Sequence, residues 1–122
     1  MLLIFEHFET IVGPEHEGRY LGKWATKWSA IEGVRGYFDK MTEELIDPAR
    51  LPNATESFLR HLGVAYTAYQ RTLFSNNRLD FAHQQRLVYD LLRDPHIAEA
   101  ITRDVRYVMV LDCCVLSFLT SV

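Results

Sequence analysis

With 122 residues and 48% hydrophobic content, the chain holds enough material for one domain with a real core. Its charged fraction of 24% is ordinary for a soluble globular domain. A net charge of -3 excludes a bulk basic signature, so any nucleic-acid contact must come from a local patch.

The start, Met1-Leu2-Leu3-Ile4-Phe5, is an apolar element broken at once by Glu6, His7 and Glu9. It lacks a basic n-region and is too short for a signal peptide or a membrane span. A loop follows, punctuated by Gly13-Pro14 and Gly18. The carboxylates and histidines of this stretch, including Glu15, His16 and Glu17, hold no metal-motif spacing on a helix and read as a solvated polar loop.

The clearest helix runs from about Lys23 to Asp47. Trp24, Trp28, Ile31, Val34, Phe38, Met41 and Leu45 recur at steps of three and four, which lines them on one face. Gly33 and Gly36 each weaken the helix by up to ~1 kcal/mol relative to Ala, so tertiary packing must hold it, and glycines there let another chain segment approach closely. Asp47-Pro48 stops it. Asn53 with Glu56 three residues on predicts a capping box for the next helix, which carries Phe58, Leu62, Ala65, Tyr66, Tyr69 and Leu73 and frays at Ser75-Asn76-Asn77. Tyr66 and Tyr69 read as core-edge residues with wet hydroxyls, the alternative being base stacking. Asp80 caps a third helix carrying Phe81, Leu87, Val88, Leu91 and Leu92, and Asp94-Pro95 opens a fourth to about Arg103.

The last element differs in kind. Val105 to Leu111 is dense in strand formers and ends on Asp112, the pattern of a strand buried on both faces. Apart from residues 2 to 5 nothing else in the chain could pair with it, so it is either recruited as an irregular segment or belongs to a sheet whose other strands lie elsewhere. Cys113 and Cys114 are adjacent, with no zinc spacing, which predicts reduced thiols in a cytosolic protein. The tail 115–122 is apolar and too short to span a membrane. The expected organisation is an N-terminal element and loop over 1–20, a helical domain over 21–104, and a strand with tail over 105–122. The fold class is mainly α, with about four helices and one C-terminal apolar strand or irregular segment.

An apolar strand ending in Asp is the pattern of a Walker B element, whose carboxylate holds Mg²⁺ beside a nucleotide phosphate. Before it stand Ala65-Tyr66-Thr67-Ala68-Tyr69-Gln70, Arg78-Leu79-Asp80-Phe81, Leu87-Val88-Tyr89-Asp90-Leu91-Leu92, Asp94-Pro95-His96-Ile97 and Arg106-Tyr107-Val108-Met109-Val110. In this order they resemble the superfamily 1 DNA helicases of the UvrD/Rep type, over roughly residues 20 to 110. Arg35 to Leu45 is consistent with the helical 1B insertion of that family. The resemblance implies a parent that couples ATP hydrolysis, with Mg²⁺, to translocation on DNA and unwinding. It implies DNA as a partner, Asp112 as a metal ligand, and the remaining motor parts as further partners; the apolar tail, which fits nothing in the family, adds another chain as an expected partner by its own composition.

The chain also departs from that pattern. The Walker A loop G-x-x-x-x-G-K-[ST] is absent, so no cofactor is expected in this chain itself. Where the family has Asp-Glu, this chain reads Leu111-Asp112-Cys113, with the Asp one residue late and Cys113 in place of the Glu that polarises water. A one-residue slip turns a strand side chain to the other face. Such an ending is expected of a truncated, decayed or frame-shifted gene. The first functional reading is therefore a helicase fragment without ATPase activity of its own, cytoplasmic and not membrane-bound. Arg19, Lys23 and Lys27 form its nearest approach to a DNA-binding patch, with a solvated helix face as the bland alternative. A second reading is a stand-alone helical interaction module that docks through Val115, Leu116, Phe118 and Leu119. A third, a hydrolase using Cys113 or Cys114, lacks a histidine placed near the thiols.

Overall fold

The computed structural model describes residues 2–109, and among them every regular element is helical. Two short helices, α1 (Leu2–Glu6) and α2 (Phe8–Ile11), precede a long loop. The long helices are α3 (Lys27–Glu43), α4 (Ser57–Ser75), α5 (Phe81–Leu92) and α6 (Pro95–Asp104), with a 3-10 helix over Pro48–Asn53 between α3 and α4. The expected mainly helical class stands.

Local chemistry sets the boundaries. Helix α3 begins four residues later than the periodicity suggested, because Thr26 and Ser29 close a capping box: the Ser29 N–H donates to Thr26 Oγ1 at 3.1 Å and the Thr26 N–H to Ser29 Oγ at 3.3 Å. Residues 20–24 instead form a tight loop closed by a bridge between Tyr20 and Trp24. The same helix ends before Asp47-Pro48. Leu45 turns left-handed at φ +57°, and the Ile46 and Leu45 N–H groups donate to Met41 and Thr42 carbonyls, which is a Schellman closure without glycine. Helix α4 closes the same way, with Asn77 in the left-handed position and Arg78 reaching back to Leu73.

The predicted Asn53–Glu56 capping box does not form. Asp47 takes the capping role instead, accepting from the Ala49 N–H at 3.0 Å and opening the 3-10 turn that ends on Asn53. Glu56 then sits at the N-cap of α4 with no side-chain bond to the helix. Asp80 and Asp94 do cap α5 and α6, accepting from the His83 and His96 N–H groups at 2.6 Å and 2.9 Å.

One core joins the first four α-helices: Leu3 and Ile4 of α1, Phe8 and Ile11 of α2, Ile31, Val34, Phe38 and Met41 of α3, and Leu62, Ala65, Tyr66, Tyr69 and Leu73 of α4. Two glycines let it close. A Cβ on Gly33 would lie 2.2 Å from the Trp24 ring, so that indole from the preceding loop rests directly on α3. A Cβ on Gly63 would lie 2.7 Å from Leu51 Cβ, so the 3-10 helix packs directly on α4.

Helix α5 joins this body through Ala82 and His83, while α6 buries none of its residues. Leu87, Val88, Leu91 and Leu92 on α5 and Ile101 on α6 remain exposed. Residues 105–109, expected to begin a strand, carry no regular structure, and Tyr107, Val108 and Met109 are each at least 79% exposed. They thus take the irregular alternative; the rest of the expected strand, with Asp112, Cys113, Cys114 and the tail, lies outside the described residues.

Candidate functional site

The three predicted cationic residues sit around the loop between α2 and α3, each in a different setting. Lys23 Nζ donates to the Tyr37 hydroxyl at 2.8 Å. It also stands 4.9 to 5.7 Å from the ring centroids of Trp24, Tyr37 and Phe58. Those rings meet edge to face at 5.4 to 6.1 Å, so loop, α3 and α4 together form an aromatic box with Lys23 on it. Lys27 Nζ lies 4.8 Å from the Phe8 ring and 5.3 Å from Phe5, which ties the start of α3 to α1 and α2. Both lysines are exposed, so their charges face water while their stems cover apolar surface.

Arg19 is exposed as well, in the turn closed by backbone bonds between His16 and Arg19. It lines a hollow of about 630 Å³ with His16, Glu17, Ser57, Phe58 and His61. Phe58 belongs both to this hollow and to the Lys23 box, which brings Arg19 and Lys23 to one neighbourhood. Glu17 stands in the same hollow and dilutes the positive potential. Among the described residues no three His, Cys, Asp or Glu side chains converge as metal ligands. The Mg²⁺ ligand implied by the resemblance, Asp112, lies outside the described residues, so no step through ATP or Mg²⁺ is assigned to this chain's residues.

A second constellation was not visible in the sequence. Asp80, His83, Gln70, Tyr66 and Thr42 form a hydrogen-bonded line from α5 through α4 to α3. His83 Nδ1 lies 2.8 Å from Asp80 Oδ1, and Gln70 Nε2 lies 3.2 Å from His83 Nε2 and 3.1 Å from the Tyr66 hydroxyl. Tyr66 meets Thr42 Oγ1 at 2.8 Å, and the Tyr69 hydroxyl donates to Asp80 Oδ2. His83 is 2% exposed, and Thr42 and Tyr66 are equally buried. Among the described residues no buried side-chain polar atom is left unpaired.

Electrostatics follow from this geometry. Burial by itself pushes the Asp80 carboxyl up, but the hydrogen bonds from the His83 ring, Tyr69 and the His83 backbone outweigh it and hold Asp80 below the ordinary carboxylate value. Burial, then the neighbouring Asp80 carboxylate, pushes the Tyr69 hydroxyl up. Asp39 on α3 is raised by burial first and by the Asp80 charge second. The tyrosines are therefore structural core residues whose hydroxyls are engaged inside the protein, and they present no face for base stacking. The sequence signal for the line was the Asp80 cap alone; His83 follows it by three residues, but Gln70, Tyr66 and Thr42 lie 10 to 38 residues away in the chain.

Comparison with known proteins agrees with the resemblance. Residues 8–112 match the family model described as the UvrD/REP helicase N-terminal domain. A 52-residue stretch is 44% identical to the "Probable DNA helicase II homolog" of Mycoplasma capricolum subsp. capricolum, covering 42% of this chain and 7% of that protein. The chain thus spans a small part of that relative's length. No solved structure matches.

Proposed function

The chain belongs to the UvrD/REP helicase N-terminal domain family, and from that premise we propose that it acts as a helical segment of a DNA helicase motor, supplying DNA and partner contacts. ATP hydrolysis, translocation and unwinding are assigned in this reading to the motor as a whole, with the nucleotide and Mg²⁺ held outside this chain's described residues. The observation that carries the reading is the asymmetry of the surface. Lys23 and Lys27 present solvent-facing cations propped on aromatic rings, with Arg19 exposed beside the same loop, while α5, α6 and residues 105–109 carry exposed apolar side chains. Cations fit phosphates, and exposed apolar faces fit the rest of a larger protein.

The DNA half of the proposal is tested by fluorescence anisotropy with a single-stranded oligonucleotide across a salt series. Three cations neutralising one phosphate each give a slope of log K against log salt of about -2, at ~0.7 per phosphate on single strands. Lys27→Ala should reduce the slope by about one third and weaken binding uniformly across sequences. Affinity that does not change with salt, or that is undetectable at low salt, rules the DNA role out.

A second reading, a free-standing interaction module, draws on the same exposed α5 and α6 side chains. It differs in needing no DNA. A chain that forms a stable complex with another protein while showing no DNA affinity at any salt would favour it.

A further inference from the structure

The line from Asp80 to Thr42 has two complete arrangements of its hydrogens, and they differ by one proton. In the first, Thr42 Oγ1 donates to the Phe38 carbonyl at 2.8 Å, so it can only accept from the Tyr66 hydroxyl, also at 2.8 Å. The Tyr66 oxygen then accepts from Gln70 Nε2 at 3.1 Å, and the second hydrogen of that amide nitrogen points to His83 Nε2 at 3.2 Å. The imidazole therefore carries its hydrogen on Nδ1, which donates to Asp80 Oδ1 at 2.8 Å.

Adding a proton from solvent to His83 Nε2 would set two N–H donors against each other. A half-turn of the Gln70 amide removes the conflict, because its oxygen replaces its nitrogen at nearly the same place. That oxygen accepts from His83 Nε2–H and from the Tyr66 hydroxyl, which turns away from Thr42. Thr42 in turn swings its hydrogen from the Phe38 carbonyl to the Tyr66 oxygen. The Phe38 carbonyl stays within the α3 ladder, and Gln70 is half-buried, so the amide's other end does not enter the apolar core. Asp80 keeps its bonds from His83 Nδ1, the His83 backbone and Tyr69 in both arrangements.

We propose that Asp80, His83, Gln70, Tyr66 and Thr42 form a two-state hydrogen-bond relay, in which a proton taken up at His83 reverses every bond between His83 and Thr42 while α5 stays seated. The device reports the charge of a ring on α5 to a hydroxyl on α3 without moving a helix. The charged and titratable groups around His83 are Asp80 in contact, Tyr66 and Tyr69 from α4, Asp39 from α3 and, further along α5, Arg86. Asp80 compensates the added charge directly, which is what lets a buried imidazolium persist.

The test is an NMR titration of the full chain with ¹⁵N-labelled histidine, following ring nitrogens and α5 backbone amides together. The expected result is the Nδ1–H tautomer in the neutral ring, then both ring nitrogens protonated on acidification with the α5 amides still protected. The Nε2–H tautomer in the neutral ring, or loss of α5 protection in step with ring protonation, would overturn the relay. Thr42→Val adds a remote readout. It leaves the Tyr66 hydroxyl without an acceptor in the neutral arrangement only, so the His83 midpoint should rise by about half to one pH unit, the equivalent of one lost hydrogen bond. Thr42→Ser should keep the wild-type midpoint. An unchanged midpoint in folded Thr42→Val also overturns the proposal; if that variant does not fold, the tautomer and amide readings on the wild type still decide.

Discussion

Asp80 carries two duties at once, capping α5 through the His83 N–H and accepting from the His83 ring and from Tyr69. Its carboxyl is held below the ordinary value, so its contribution to stability is fully present above the unfolded-state pKa, about 3.9, and is lost as pH falls through the folded value. Tyr69→Phe removes one bond to that carboxylate. It should destabilise the fold by about 1.5 to 3 kcal/mol at neutral pH, and the difference from wild type should shrink once both proteins are acid enough to protonate Asp80. Urea denaturation at several pH values measures this, and a pH-independent difference would remove Asp80 from the account. Asp39 has the opposite sign. Its folded pKa is raised by burial and by the Asp80 charge, so it costs stability above its folded value and the cost vanishes as it protonates. Asp39→Asn should therefore stabilise at neutral pH, by a few tenths of a kcal/mol after solvent screening, and lose that advantage in acid.

Helix α3 shows how an element can run against its own propensities. Both of its glycines disfavour helix, yet the two have different reasons to be there. A Cβ on Gly36 meets nothing within 4 Å, whereas one on Gly33 would collide with the Trp24 indole. Gly36→Ala should raise stability by up to ~1 kcal/mol through helix propensity. Gly33→Ala should lower it by about 1 to 3 kcal/mol, because overpacking exceeds the propensity gain. Thermal melts of the pair check the contrast; equal and positive shifts would mean that the Trp24 contact carries no weight. The periodicity in the sequence found the buried stripe of α3 correctly at Ile31, Val34, Phe38 and Met41. It misplaced Trp24 and Trp28. Trp24 precedes the helix, because the Thr26–Ser29 box starts it later, and packs back on it; Trp28 lies in the first turn of α3 and is 56% exposed.

At the scale of the whole molecule the described residues divide into a well-packed body, α1 to α4, and an apolar appendage, α5 to residue 109, seated on it through few side chains. Val88 is 55% exposed and Leu91 51%, a large apolar surface for a helix that also carries Leu87 and Leu92. The isolated chain should self-associate with rising concentration, and Val88→Glu with Leu91→Glu should suppress that without lowering the melting temperature by much. Size exclusion with light scattering reads both. A wild type that stays monomeric at high concentration would argue against this face as a docking surface.

The sequence by itself determined the four long helices to within a few residues, that Asp80 and Asp94 begin two of them, and which family the chain resembles, since capping and periodicity act over a few residues and signature order survives without a fold. It also named the cations of the candidate interface, Arg19, Lys23 and Lys27. Their settings were decided by the tertiary structure alone: the box of Trp24, Tyr37 and Phe58 under Lys23 joins a loop and two helices that are distant in the chain. The same holds for the relay. His83 looked like a polar residue early in a capped helix, and only the packing of α5 against α3 and α4 brings it to Gln70 and, through Tyr66, to Thr42. Hydrogen-bond partners across helices depend on crossing geometry, and no local pattern of residues records that.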